Sequence, residues 1–511
     1  DTMTSTPEVR DNSPVSKKHD TVVQEAPGSE LPSLARKPVY SIAALAAVVL
    51  VATSSRVGYF GDELYFLVAG RNLDWGYADQ GPLVPLLALL MDTVVPDSLV
   101  ALRFPMAIVV AVGVVVAALT ARELGGLRQA QAWTGAAYAM SSVTFSHTLN
   151  TATVDMLMWT VVTWLLVRWT RTRDDKLLLA IGAVTALALQ NKWLIVALWL
   201  AVGISVLADG PRDLLRRPML WAAAALTAVI TIPALIWQAT HGWPQISTAQ
   251  AIPNEDFLNY RLVFLPLVLA SAGFVFGAAL LIYGAWRLLR SPQLRAYRFL
   301  GLAFVELAVL FQVVGGRHTY LPGLFVVCWA AGAVELQRHT PSRWIRWAFH
   351  RSAIAVSALV ALTWLPILPT SWPTPARPMS LLMLGLPEWT DTVADAFGDL
   401  PPETREGAVV VTHWYWDAAV VDRYGPERGL PESYSTHRGA WDFGPPPEGT
   451  DTVLFIDSDA DYLEQYFTEV QLLTSVDTGG MTNMFDRPIP VWLCSGPKDS
   501  WAQMWTDLRH F

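Results

Sequence analysis

About eleven stretches of roughly 20 largely apolar residues recur along this chain, and Lys and Arg cluster on alternate connections between them. Hydrocarbon admits only backbone that satisfies its own hydrogen bonds, so such a pattern folds as a bundle of membrane helices. The candidate spans are 38–57, 98–120, 129–146, 151–169, 177–190, 192–208, 219–238, 262–285, 296–314, 318–337 and 352–370. Composition agrees. Charged residues make up 16% of the chain and hydrophobic ones 53%, with a mean hydropathy of +0.34, whereas soluble domains carry roughly 25% charged residues. The 23 Trp suit interfacial belts.

The basic clusters set an orientation. One side collects Arg36 and Lys37, Arg122 and Arg128, Arg168 to Lys176, Arg212 to Arg217, Arg287 to Arg298, and Arg338 to Arg351. The positive-inside rule then puts the N-terminus in the cytoplasm and, with an odd number of spans, the C-terminal part outside. Residues 1–37 are polar and read as a disordered cytoplasmic tail, too long and too acidic for a signal peptide, so the first span is expected to be an uncleaved anchor. A net charge of −8 argues against nucleic acid as a partner. The two cysteines, Cys328 in a span and Cys494 near the end, should lie at different depths and form neither a disulfide nor a metal site.

The division expected is a tail over 1–37, a transmembrane domain over 38–370, and an extracytoplasmic α/β domain over 371–511 behind a Pro-rich linker at 366–378. Strands are expected at Ala408 to Thr412, Thr452 to Ile456 and Val491 to Cys494, and a helix from Asp461 to Val470. In the first outer loop, Asp62 to Asn72 and Leu83 to Val95 read as interfacial helices.

With that orientation, polar groups from several loops gather on the outer leaflet. They are Asp62, Glu63, Asp74 and Asp79; His147, Asn150 and Asp155; Gln190, Asn191 and Lys192; His241; and Arg317, His318 and Tyr320. Charge near hydrocarbon is expensive and is retained mainly where it works. A carboxylate can take a proton from a hydroxyl. Lys and Arg can neutralise a departing phosphate. Together they suit transfer from a lipid-phosphate donor to an acceptor outside the cell, where nucleotides are absent.

The motifs GYFGDELYF, YADQGPLVPLLALL, TATVDMLMW, LQNKWL, WQATHGWPQ and GGRHTYLPGLF resemble the bacterial family 39-type glycosyltransferases, similar to protein O-mannosyltransferases and aminoarabinose transferases. The resemblance covers about 55–340. It implies the C-type membrane glycosyltransferase fold, an α-helical polytopic membrane protein, and a polyprenyl-phosphate sugar as donor. It also implies Asp62 as catalytic base with Glu63 beside it and Asp155 as a second acidic position. Lys192, Arg317, His318 and Tyr320 would bind the donor phosphate. Members differ in metal use; His241 and Asp79 are the candidate ligands for a divalent ion. Gly81 stands where a proline is more usual, which would loosen the loop around Asp79 and Gln80.

Each residue has a plainer reading. Asp62 could cap a helix, Glu63 could serve a helix dipole, and Asp155 could cap its span. Lys192 could snorkel, Arg317 and His318 could anchor the interface, and His241 could be a turn residue. The run His413 to Trp416 reads as core of the outer domain rather than a sugar platform. The function expected is inverting transfer of mannose or arabinofuranose to a cell-envelope glycan, lipid or protein. The rivals are a lipid-linked glycan transporter or flippase, for which Glu306 is the main charge inside a span, and a non-catalytic glycan-binding subunit.

Overall fold

The computed structural model describes residue 2 and residues 31–254, 260–369, 383–476 and 488–511. Most of the tail at 1–37 and most of the linker at 366–378 therefore lie outside the described residues. The rest is a polytopic helical membrane protein carrying a small sheet domain.

Helices occupy the candidate spans and the loops between them. They are α1 (Arg36–Thr53), α2 (Gly61–Arg71), α3 (Leu83–Val94), α4 (Leu99–Glu123), α5 (Arg128–Ser142), α6 (Thr151–Thr172), α7 (Lys176–Leu189), α8 (Ile195–Asp209), α9 (Pro218–Thr240), α10 (Pro244–Ala251), α11 (Tyr260–Ser271), α12 (Phe274–Arg290), α13 (Arg298–Val314) and α14 (Pro322–Arg338), followed by the helix Arg351–Thr363. Of these, α2, α3 and α10 lie in the loops between spans. Among the described residues, four are long and apolar enough to cross a membrane alone, or five if a bent pair counts as one. That pair corrects the expected span at 262–285. Arg261–Ser271 and Phe274–Arg290 meet at 102°, through Gly273 and Phe274, both at positive φ. Glycine adopts that conformation at little cost, so a break falls there rather than one continuous helix.

The core of the bundle is built on α14, whose Leu324 to Ala331 are wholly buried against α5, α6 and α12. Gly284 and Gly332 let α12 and α14 approach closely, since a Cβ at Gly284 would lie 1.7 Å from the Cys328 carbonyl oxygen. Small residues at such crossings are how apolar helices gain contact in lipid.

The C-terminal sheet has five strands: β1 (Val409–Thr412), β2 (Ser433–Ser435), β3 (Thr452–Ile456), β4 (Phe467–Val476) and β5 (Ile489–Pro497). Their order is β2-β1-β3-β5-β4, parallel across the first three and antiparallel across the last three. The expected helix at Asp461 to Val470 is corrected: one turn, Ala460–Leu463, leads into β4. Residues Phe467 to Val476 form an edge strand with a register shift between Leu472 and Thr474, and cross-strand pairing with β5 overrides the local helical pattern.

Strand periodicity sorts the sheet into two faces. Val409, Val411, Val453 and Phe455 pack under the helix Trp501–Leu508. Val410, Leu454 and Ile456 join a cluster with Leu64, Tyr65 and Phe66 of α2 and Leu102 and Met106 of α4. The sheet domain and the first loop thus share one core. Ion pairs reinforce the contact, Arg71 with Asp422 at 3.2 Å and Arg423 with Asp97 at 2.9 Å.

Candidate active site

The acidic pair opening α2 splits into two different roles. Phe60 occupies the N-cap, so Asp62 sits inside the first turn and is not the cap. Glu63 reaches back to the Phe60 N–H at 2.9 Å, the return half of a capping box. It is wholly buried, and its remaining capacity goes to the Leu149 N–H at 2.8 Å and to Arg103, at 2.8 and 2.6 Å. Arg103 also donates to the carbonyls of Ser54 and Gly58. This bidentate pair, 2% and 0% exposed, ties α1, α2, α4 and the start of α6 together. Sequence reasoning missed Arg103; a cation within an apolar span was its signal.

Asp62 is held by neutral donors instead. One carboxylate oxygen accepts from the Tyr415 hydroxyl at 2.7 Å and from the Trp416 indole N–H at 2.8 Å. Both open the helix Tyr415–Tyr424 that follows β1, more than 350 residues away in sequence. Gly61 makes room, for a Cβ there would lie 2.3 Å from the Trp416 ring. The core reading of the 413–416 run holds for Tyr415, which is buried, yet the same ring touches Asp62. The signal available was position: loops at the carboxyl ends of parallel strands are where α/β sheets place ligand-facing groups.

Around Asp62 stand the other acids. Asp79 accepts from the Tyr65 hydroxyl at 3.1 Å. Burial pushes its carboxyl up, nearby Asp62 adds to this, and Arg438 and Lys192 oppose it. Tyr415 is pushed well above the usual phenol range, by burial first and then by Asp62, so it remains a donor. Asp155 lies just past the first turn of α6, whose start is fixed by Asn150 accepting from the Thr153 N–H. It accepts from Asn191 at 2.8 Å and faces Lys192. The Lys192 ammonium lies 5.4 Å from the Tyr320 ring centre. Arg317 and His318 open the same 3-10 turn, His318–Tyr320.

The Gly81 expectation is corrected. Gly81 N–H donates to the Asn191 carbonyl at 3.0 Å and Leu83 N–H to that of Gln190 at 2.9 Å. A Cβ at Gly81 would lie 2.2 Å from the Gln190 oxygen. The glycine does not loosen the loop; it lets the Asp79 loop clasp the segment carrying Lys192.

His241 stands apart. Its ring stacks on Trp237 at 4.1 Å, its Nδ1 bonds the Trp237 carbonyl, and the charged group it faces is Asp442. Among the described residues, no three His, Cys, Asp or Glu side chains gather as a metal would require. His241 and Asp79 thus lack a third ligand there, and no step below runs through a metal. Asp74 accepts from the Trp237 indole at 2.7 Å and anchors α9 to the first loop. Glu306 receives the Ser205 hydroxyl at 3.1 Å between α8 and α13, away from this cluster.

Asp62, Asp79, Asp155, Lys192 and Tyr320 are therefore brought together at one end of the bundle, joined by Tyr415, Trp416 and Arg438 of the sheet domain. Carboxylates, a cation and aromatic walls at one membrane-level surface can deprotonate a hydroxyl and hold a phosphate.

Residues 79–237 match the family model described as dolichyl-phosphate-mannose-protein mannosyltransferase. No curated protein matches the chain. Among solved structures, the chain is similar to ArnT from Cupriavidus metallidurans in the apo state, at 15% identity over 90% of this chain and 98% of that one, with a TM-score of 0.58. It is similar also to the same protein bound to undecaprenyl phosphate, at 15% identity over 89% and 97%, with a TM-score of 0.56. At such identity the likeness is one of fold, and it extends through both the bundle and the sheet domain. The match over residues 79–237 and the shared fold bear out the resemblance read from the motifs, and the chain has the C-type membrane glycosyltransferase fold.

Proposed function

We propose that the chain transfers a sugar, mannose or arabinofuranose, from a polyprenyl-phosphate donor to a hydroxyl of a cell-envelope acceptor on the outer face. The observation that carries this reading is Asp62, with one oxygen fixed by two neutral donors and, among the described residues, no arginine paired to it in the manner of Glu63. A carboxylate so held keeps its second oxygen for a proton. The acceptor O–H gives its proton to Asp62, and the acceptor oxygen bonds to C1 of the sugar. The bond from C1 to the phosphate oxygen breaks, and its electron pair leaves with the polyprenyl phosphate. A single displacement inverts C1.

Lys192 is the cation set between Asp79 and Asp155, and Arg317 enters the turn that carries Tyr320. Both would hold the leaving phosphate, with His318 and Tyr320 shaping its seat. Undecaprenyl phosphate bound by the ArnT relative supports a donor of this kind. The basic clusters at the far end of the bundle support a cytoplasmic N-terminus and an outer site.

The test is transfer of label by the purified full chain from polyprenyl-phosphate mannose and from polyprenyl-phosphate arabinofuranose to envelope extract, with and without chelator. Transfer by wild type and not by Asp62→Asn supports the reading. Equal transfer by both removes Asp62 as base.

A further inference from the structure

A cleft of about 160 Å³ opens between α2 and edge strand β2 of the sheet. Tyr65 and Val68 of α2 and Asn72 at its C-cap line one side, spaced at three and four residues from Asp62 onward, so the cleft runs along the helix face that begins at Asp62. Edge strand β2 contributes Ser433 and Ser435 opposite, while the Tyr434 ring turns to the other face of the sheet with Val411. Tyr415 and Phe443 close the inner end. The two inner tyrosines are shared with the active site, since Tyr415 bonds Asp62 and Tyr65 bonds Asp79.

We infer that this cleft is an acceptor subsite for a neutral sugar residue adjoining the one that reacts. The lining mixes aromatic rings, small side chains and polar groups that can meet hydroxyls: Asn72, Ser433, Asp422 and Glu432. Aromatic faces with acceptor carboxylates suit a ring that is apolar on its C–H face and rich in hydroxyls at its edge. Two acids at the same cleft, Asp422 and Glu432, disfavour phosphate or uronate. Arg71 is already paired with Asp422, so a free cation gains little there. β2 is only three residues long and faces α2 across the cleft, which leaves no open edge for a peptide strand. Seating the neighbouring residue would fix the acceptor chain relative to Asp62, binding energy from a remote group used to orient the reacting one.

The direction of the acceptor rests on Asp62 as base; binding in the cleft does not, and the experiment separates them. Saturation-transfer NMR on the detergent-solubilised full chain would compare methyl mannobioside and methyl arabinofuranobioside with a glucuronic-acid disaccharide and a Ser/Thr hexapeptide. The inference expects transfer to a neutral disaccharide, lost in Asn72→Trp, which obstructs the mouth, and weakened in Phe443→Ala, which removes a lining ring. In the label assay both variants should raise acceptor KM by about tenfold, and by more than they lower kcat. Retained undecaprenyl phosphate binding excludes misfolding. Equal disaccharide binding by wild type and both variants overturns the inference, as does preference for the uronide or the peptide. Asp62→Asn that keeps full transfer would sink the base assignment, while disaccharide binding sensitive to Asn72→Trp would leave the subsite standing.

Discussion

The two ends of the helical bundle treat charge in opposite ways. At the basic end, arginines meet carboxylates directly: Arg171 with Glu123 at 2.7 Å, Arg298 with Asp209 at 2.8 Å, Arg217 with Asp213 at 2.9 Å, and Arg287 with Glu335. At the site end, Asp62, Asp79 and Asp155 are bonded by a phenol, an indole and an amide. Arginine pairs at that end belong to the framework: Arg103 ties Glu63 into the scaffold, and Arg71–Asp422 and Arg423–Asp97 join the first loop to the sheet domain. Paired charges hold a structure in register. Carboxylates bonded by neutral groups keep capacity for a proton or a substrate, so the difference separates framework from chemistry within one set of residue types.

Substitution at the site end should have the largest effect on rate. Asp62→Asn is expected to lower transfer by about 10²- to 10⁴-fold, the usual contribution of a general base, with unchanged melting temperature because the amide oxygen can still accept from Tyr415 and Trp416. A melting drop that accounts for the activity loss would erase the distinction. Breaking the scaffold pair should instead cost stability: Arg103→Leu strands a buried Glu63 and should destabilise by about 3–5 kcal/mol, read as lost folded protein in thermal unfolding. Tyr415→Phe removes one of two donors to a carboxylate, worth about 1.5–3 kcal/mol; kcat should fall at least about tenfold while donor affinity holds. At the basic end, Arg173→Ala removes an exposed partner of Asp213 and should change stability by no more than about 1 kcal/mol.

A pH series sharpens the contrast within the sheet domain. His510 is pushed down to about 4, by burial and then by His413, and His437 well below its ordinary value, by burial and then by Arg438. The rings stack, His413 on His510 at 4.0 Å and His437 on His510 at 4.8 Å. A histidine depressed in the folded state binds fewer protons than in the unfolded one, so stability is full above about pH 6.5 and falls as pH drops toward 4. Unfolding of the full chain followed by tryptophan fluorescence should show that slope, and His510→Gln should flatten it.

Hydropathy was enough to locate the membrane helices, because about 20 apolar residues carry their own signal. The bend between α11 and α12 was not legible, since it depends on backbone at Gly273 and Phe274 within an unbroken apolar run. Asp62, Asp79, Asp155 and Lys192 were legible as outer-loop polar groups, and the structure does gather them. Glu63 and Asp62 looked equivalent in sequence because their difference is made by Arg103, on another helix. Tyr415, Trp416 and Arg438 were hidden for a related reason: their partners lie hundreds of residues upstream, and no periodicity encodes a contact at that distance. β4 was misread because its pairing with β5 decides its conformation.

The bond from Trp416 to Asp62 also sets an order in time. Asp62 belongs to the loop after α1, and Trp416 to the sheet domain that follows the bundle in the chain. Until the sheet domain has folded against α2, the Asp62 carboxylate has neither of its two fixed donors. A nascent or truncated chain can thread the membrane and bury its apolar surface without acquiring a finished site. The surroundings of Asp62 are thus complete only once the sheet domain docks on α2.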